Sequence, residues 1–236
     1  MTTFAPLPEG EYPVILADPP WAYANFDSKN NGAASDHYQC ISAAEISCLP
    51  VASIANRDSL LFLWATGPKL PQALQVIEAW GFDFVGIAFD WLKTYREPFQ
   101  IDVRTRESFN ALRSMTTSPA AEAALERPNR VKTAWVIPGN MYCGLGFRTR
   151  QANELCLLGR RGKGLPKKSS SVLSPVVAQR RKHSQKPEEV YDRIEALVDG
   201  PYLELFARQS RPGWTAWGDH VEDVHATDNQ KAESDG

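Results

Sequence analysis

Apolar residues gather in short runs along this chain, and the way each run ends predicts an element. Residues 13–17 (PVILA) are cut off by Asp18-Pro19-Pro20, which predicts a buried strand ending in a rigid loop. Ser42 and Glu45 have capping-box spacing and predict a short helix through residue 49. Residues 59–65 (SLLFLWA) are apolar almost throughout, as in a buried parallel strand. Residues 71–80 switch to helical spacing, with Leu74, Ile77 and Trp80 on one face, Pro71 in the first turn and Gly81 as the stop. A further strand is predicted over 82–92. From about 96 the apolar period is lost, and the polar segment 96–140 reads as an insertion or mobile loop with one short helix over 120–126. Beyond it, strands are predicted at 154–158, 202–207 and 214–217, and a basic Gly/Pro loop at 159–168. A helix is predicted over 187–198, where Val190, Ile194, Leu197 and Val198 share a face. Residues 223–236 are polar and predicted to form a flexible tail.

Strands alternating with helices predict an α/β fold with a mostly parallel, doubly wound sheet, here one domain over 1–222. A chain of 236 residues with 43% hydrophobic positions has enough apolar material for such a core, which excludes disordered and fibrous classes. No run approaches the roughly 18 apolar residues of a membrane helix, so no membrane partner is expected. The first residues carry prolines and acids where a secretory leader needs a basic and then an apolar stretch. Cys40, Cys48, Cys143 and Cys156 are too dispersed for a zinc or redox motif, so they read as reduced, mostly buried thiols. The expectation is a cytoplasmic protein without a bound metal.

Ligands of doubly wound sheets bind beyond the carboxyl ends of the strands, and Asp18-Pro19-Pro20-Trp21 stands at one such end. Two prolines fix their own φ angles and restrict the residue before each. The loop is therefore expected to aim the Asp18 carboxylate and the Asp18 and Pro19 carbonyls outward. It is rich in acceptors and poor in donors, and Trp21 adds a flat aromatic surface. Fixed acceptors beside a stacking plate suit the exocyclic amine of a planar base. The N6 of adenine is a poor nucleophile, because its lone pair is delocalised into the ring. Acceptors gripping its hydrogens favour the pyramidal nitrogen of the transition state without a strong general base. A methylsulfonium donor is attracted to the same carboxylate, and holding donor and acceptor in line supplies further acceleration. The bland alternative is a strand-to-loop turn with a core tryptophan.

The chain also carries LADPPW at 16–21, LLFLWATG at 60–67, WGF at 80–82 and WLK at 91–93. GLGFRTRQANELCLLGRRG at 144–162, HSQKPEEVYDRIEAL at 183–197 and ELFARQSRPGWTAWGDH at 204–220 follow. In this order the pieces resemble the N6-adenine methyltransferases that include the catalytic subunit of the eukaryotic mRNA adenosine methyltransferase (the MT-A seventy-kilodalton family), with its bacterial and phage members. The resemblance implies a Rossmann-like fold that uses S-adenosylmethionine, with permuted motif order. It implies that Asp18, Pro19, Pro20 and Trp21 hold the target adenine. It implies cofactor contacts from Asp18, Lys186, Phe206 and Arg208, and from Gly218, Asp219 and His220, where the family has Gly-Asn-Gln. Only 17 residues precede Asp18, so another segment is expected to meet the adenine of the cofactor.

Tyr23, Asn25 and Tyr38 follow the motif and are candidates to stack on or bond a flipped base. Lys93, Arg150 and Asn153 match positions of the family pattern and are candidates for substrate contact. Arg160, Arg161, Lys167 and Lys168 lie in the basic loop and are candidates to clamp phosphate; the alternative is a solvated face. Charge sharpens that choice. The net charge is −2, but residues 148–186 hold eleven Lys and Arg against one acid, Glu154. That stretch carries +10 and the rest −12, so a phosphate backbone is expected along it. The leading reading is an adenine-specific DNA methyltransferase that flips its target base, of the restriction-modification or phage DNA-modification kind. RNA is a possible substrate. A non-catalytic nucleic-acid-binding family member and an unrelated Rossmann-like nucleotide-binding enzyme are the alternatives.

Overall fold

The computed structural model describes residues 5–22, 40–102, 110, 133–136, 141–143, 148–181 and 185–218. It contains strands β1 (Tyr12–Ala17), β2 (Ala55–Ala65), β3 (Asp83–Thr94), β4 (Phe99–Asp102) and β5 (Thr133–Val136). Strands β6 (Asn153–Arg161), β7 (Pro175–Gln179), β8 (Tyr202–Leu205) and β9 (Trp214–Trp217) complete the set. Among the described residues the helices include α1 (Ala43–Ser47), α2 (Leu70–Ala79) and α3 (Glu189–Leu197). Seven strands hydrogen-bond in the order β7-β3-β6-β2-β1-β8-β9, and β4 pairs separately with β5. Strand β1 runs parallel to β2 and β8, and β8 runs parallel to β9. Strand β6 is antiparallel to β2. The α/β fold with a mostly parallel sheet is thus as expected. No helix among the described residues is long and apolar enough to cross a membrane.

The chain forms two compact units. The first takes residues 1–90, 154–175 and 188–236; the second takes 91–153 and 176–187. The segment read as an insertion at 96–140 falls inside the second. Strand β3 belongs to the first unit through Asp90 and to the second from Trp91.

In the first unit the alternation of β1, β2 and β8 sorts side chains to two faces. Ile15, Ala17, Leu61, Leu63, Leu203 and Leu205 join Ile46 of α1 and Ala73, Val76 and Ile77 of α2 in one core. Helix α1 starts where the capping box predicts: the Ser42 hydroxyl accepts from the Glu45 N–H at 3.2 Å, and the Ser42 N–H donates to the Glu45 carboxylate at 3.1 Å. Trp80 donates its indole N–H to the Ile46 carbonyl at 3.0 Å, tying the end of α2 to α1. Gly81 takes φ +79° just past α2, the left-handed stop that glycine permits. On the other face Phe62 stacks on Phe89, and α3 covers β8 through Tyr191. Helices therefore sit on both faces, as double winding requires.

Four expectations are corrected. Residues 99–102 and 133–136, inside the segment read as an insertion or mobile loop, form the β4–β5 ladder. Strand β7 was not visible, because PVVAQ is short and has only two strongly apolar residues. Strand β6 continues through Gly159, Arg160 and Arg161, so the basic loop starts after them. A strand at one side of β2 tolerates charged residues where alternate positions reach solvent. Only Cys156 is buried; Cys40 is partly exposed and Cys48 and Cys143 are exposed, although all four are free thiols. The helix read over 120–126 and the tail at 223–236 lie outside the described residues.

Candidate active site

Because β1, β2, β8 and β9 run parallel, their carboxyl ends share one edge of the first unit. Asp18, Thr66, Phe206 and Gly218 are the residues that immediately follow those ends. Strand β6 runs the other way, so its start meets the same edge, with Leu155 opposite Ala65.

The Asp18 loop is held by its own backbone. The Asp18 N–H donates to the Leu205 carbonyl at 3.3 Å, so the β1–β8 ladder continues one residue past the strand. The Trp21 N–H donates to the Pro19 carbonyl at 2.9 Å, closing a tight turn around Pro20. The Pro20 carbonyl accepts from the Ile41 N–H at 2.8 Å, and the Ala22 N–H donates to the Ile41 carbonyl at 2.9 Å. Trp21 is buried, and its indole N–H donates to the Trp64 carbonyl at 3.0 Å.

These contacts change two details of the expected loop. The Pro19 carbonyl closes the turn, which leaves it one lone pair for an outside donor. Trp21 is no open stacking plate. A large aromatic with one N–H gains most when its ring is buried and its donor is paired, and β2 offers a carbonyl just beyond the last β1–β2 register pair, Ala17 with Leu63. Trp21 is thus the anchor of the loop. Asp18 stays partly exposed, with its carboxylate at the strand end.

Phe206 adopts φ +64°, a left-handed conformation that non-glycine residues rarely take and that clusters at functional sites. Its ring meets Trp217 edge-on at 5.5 Å. Gly218 lies against Ala207, where a Cβ would overlap the Ala207 backbone. The Ala207 N–H donates to the Trp217 carbonyl at 2.9 Å, which clamps the ends of β8 and β9 together. Arg208 is exposed beside them.

Beneath this edge lies a pair whose two members fall in the quoted motifs but to which the sequence reading gives no role. The Tyr191 hydroxyl donates to Glu204 Oε1 at 2.7 Å, and Glu204 is 8% exposed. Burial, then the Glu204 carboxylate and this hydrogen bond, then Asp18, push the Tyr191 phenol far above its ordinary range. Arg211 packs its guanidinium over the Tyr191 ring at 4.7 Å and pairs with Glu188 and Asp192. A glutamate in an apolar strand (YLEL) was the available clue. Helix α3 starts at this edge, because Tyr191 in its first turn reaches β8 near the carboxyl end. It finishes at the opposite edge, where Val198 accepts from the Tyr202 hydroxyl at 2.9 Å.

That opposite edge is where the 160–168 part of the basic stretch goes. Arg161 lies opposite Ser59 and Arg160 opposite Leu60, six and five residues before Ala65. At ~3.3 Å per strand residue this is about 20 Å from the Asp18 end. Arg161 donates to the Ala52 and Ala55 carbonyls at 2.7 and 3.1 Å, a structural brace. Lys168 pairs with Asp199 at 2.7 Å beyond the end of α3, and Lys167 is exposed next to it. Arg160, Arg161, Lys167 and Lys168 are therefore not brought beside the Asp18 loop. The antiparallel direction of β6 carries them away, which sequence order does not reveal.

Lys93, Arg150, Asn153 and Lys186 belong to the second unit. Lys93 holds its ammonium 5.0 Å from the Trp91 ring centroid, Arg150 and Asn153 are exposed, and Lys186 is partly buried. Tyr23, Asn25, Tyr38, Asp219 and His220 lie outside the described residues.

The MT-A70 family model matches residues 12–115 and 140–220 of this chain. The Type II methyltransferase M.MunI of a Mycoplasma species is 27% identical, across 93% of this chain and 82% of its own length. The METTL3 subunit of the N(6)-adenosine-methyltransferase of Danio rerio is 25% identical, across 93% of this chain and 30% of its own length. The human N(6)-adenine-specific methyltransferase METTL4 is 26% identical, across 89% and 37%. The chain spans about a third of the length of these two eukaryotic relatives. The matched stretches include the Asp18 loop, Lys186 and the β8–β9 clamp. With this edge built on a mostly parallel α/β sheet, the chain belongs to the MT-A70 family of N6-adenine methyltransferases and has its Rossmann-like fold.

Proposed function

We propose that this protein transfers a methyl group from S-adenosylmethionine to the N6 amino group of adenine in DNA, with the target base flipped out of the duplex. The observation that carries the reading is the Asp18 loop. It is a rigid, acceptor-rich turn at the carboxyl edge, with a partly exposed carboxylate and few free donors. The residues at this edge fit a sulfonium nucleoside. Asp18 offers negative charge to a cation, and Phe206 and Gly218 close the neighbouring strand ends around a small, tightly packed turn. Phe206, Arg208 and Gly218 are the described residues of the first unit that would hold it. Bound there, S-adenosylmethionine supplies an electrophilic methyl group.

The chain itself orients and polarises. Asp18 accepts a hydrogen bond from the exocyclic amine, and the second lone pair of the Pro19 carbonyl accepts the other. Two acceptors localise the nitrogen lone pair and favour its pyramidal form. Trp21, bonded to Trp64, keeps the loop from relaxing, so this alignment costs little reorganisation during the reaction. Similarity to a Type II methyltransferase, 27% identical, supports DNA as the substrate.

The test is transfer of a tritiated methyl group to duplex DNA and to RNA by the wild type and by Asp18→Ala. Label on DNA that falls about 100- to 1000-fold in Asp18→Ala supports the reading. Label on RNA alone moves the substrate to RNA. Equal labelling by Asp18→Ala removes the role of the loop.

A further inference from the structure

Charge also divides between the two units. The second unit holds fourteen Lys and Arg against five acids, or +9, which leaves the first at −11. The Arg160 to Lys168 group, part of the basic stretch in sequence, belongs to the acidic unit. The electrostatic attraction for a polyanion therefore belongs to the second unit, whose described residues contain a compact group of an exposed tyrosine, a half-buried tyrosine and an exposed arginine.

Tyr95 follows β3 and is 56% exposed. Its ring meets Tyr142 edge-on, with centroids 5.3 Å apart and planes at 68°. Arg180 follows β7 and lays its guanidinium over the Tyr142 ring at 4.5 Å. Hydrogen bonds from three segments fix the group, two between backbones and one from the Gln179 side chain. The Tyr142 N–H donates to the Lys93 carbonyl at 3.0 Å, and the Arg180 N–H donates to the Thr94 carbonyl at 3.0 Å. The Gln179 amide donates to the Tyr95 carbonyl at 2.9 Å. Thr94 is fully buried and bonds the Arg96 carbonyl, so the turn that presents Tyr95 is held from below. Among the described residues no carboxylate pairs with Arg180. Its planar face is used by Tyr142, and its N–H groups at the rim stay available.

A cation–π pair at an exposed site is worth only about 0.5–1 kcal/mol, too little to account for three chain segments converging on it as a stabilising device. A protein-docking surface would be expected to pair an arginine with acids or to add aliphatic anchors. This group has an open aromatic face, a guanidinium and net positive surroundings, which is the chemistry of a single-stranded nucleic-acid contact. We propose that Tyr95, Tyr142 and Arg180 form a DNA contact. An unpaired base stacks on Tyr95, and Arg180, pre-oriented by Tyr142, binds the adjoining phosphate. The proposal rests on the reading of the chain as a DNA methyltransferase, because flipping a base exposes the unstacked faces that such a platform takes.

The test is fluorescence anisotropy of a fluorescein-labelled single-stranded DNA of mixed sequence, titrated with the whole chain between 50 and 200 mM salt. Tyr95→Ala is expected to weaken binding about 5- to 150-fold, and Tyr95→Phe to retain it. Arg180→Gln is expected to lower the salt slope by about 0.7, and Arg180→Lys to restore it. Wild-type binding that none of these variants alters overturns the proposal and leaves the methyltransferase reading intact. Wild-type protein that neither binds nor methylates DNA overturns both. Weaker binding by Tyr95→Phe as well as Tyr95→Ala overturns the stacking role.

Discussion

Replacing Tyr191 with phenylalanine tests whether the buried pair under the Asp18 edge contributes as its geometry implies. The ring stays, so its contacts with Trp214 at 5.2 Å and Arg211 at 4.7 Å stay and no cavity opens. What is lost is one O–H donating at 2.7 Å to a carboxylate that is 8% exposed. A hydrogen bond to a charged group contributes about 1.5–3 kcal/mol. In a chain of this size that lowers Tm by roughly 4–8 °C, taking ~2–4 °C per kcal/mol and a loss near 2 kcal/mol. The pH dependence gives an independent check. The folded pKa of Tyr191 is raised above the ordinary value near 10. The folded chain therefore keeps a proton that the unfolded chain releases. That contribution is complete below about pH 10 and is lost as pH rises above it. The variant has no phenol to titrate, so its stability curve and that of the wild type converge above pH 10. Thermal unfolding followed by circular dichroism at pH 7 and across pH 9–11 measures both. Equal Tm at pH 7, or a difference that persists unchanged to pH 11, would refute the argument.

Gly218→Ala puts a methyl group into the Ala207 backbone and is expected to cost about 1–3 kcal/mol. Its Tm should fall and the rise in Tm on adding S-adenosylhomocysteine should shrink, and an unaltered ligand-induced rise would detach Gly218 from the cofactor site. The far edge makes the opposite prediction about DNA. The double variant Arg160→Gln, Lys167→Gln is expected to keep the wild-type DNA affinity and salt slope, and a flatter slope in anisotropy titrations would return those residues to the interface. Arg161→Gln removes the bonds to the Ala52 and Ala55 carbonyls, so it should lower Tm in unfolding scans without changing that slope.

The elements that the sequence made legible are those whose signal is local. The capping box at Ser42 and Glu45, the glycine stop at Gly81 and the proline break after Ala17 each act within one turn or strand, so pattern and structure agree. Strand β7 and the β4–β5 ladder were missed because their pairing energy comes from distant strands, and their own residues alternate weakly. The Asp18 loop was legible because two prolines and an aspartate restrict the backbone wherever they occur. The sequence reading also placed Phe206 and Gly218 near it, through resemblance.

Several decisions belong to the tertiary structure. Trp21 turned from an open plate into an anchor because β2 presents a carbonyl where its indole N–H ends. Glu204 gained its role only when α3 brought Tyr191 across the sheet, thirteen residues away in sequence. The basic stretch was split because β6 runs antiparallel to β2, which takes Arg160 and Arg161 to one end of a strand about 26 Å long and leaves Asn153 at the other. The sequence by itself determined that this chain has an acceptor-rich loop at a strand end and the motif order of an adenine methyltransferase. Strand direction decided which charges share its edge. Chain order records which residues follow one another, whereas electrostatic interaction depends on distance through space.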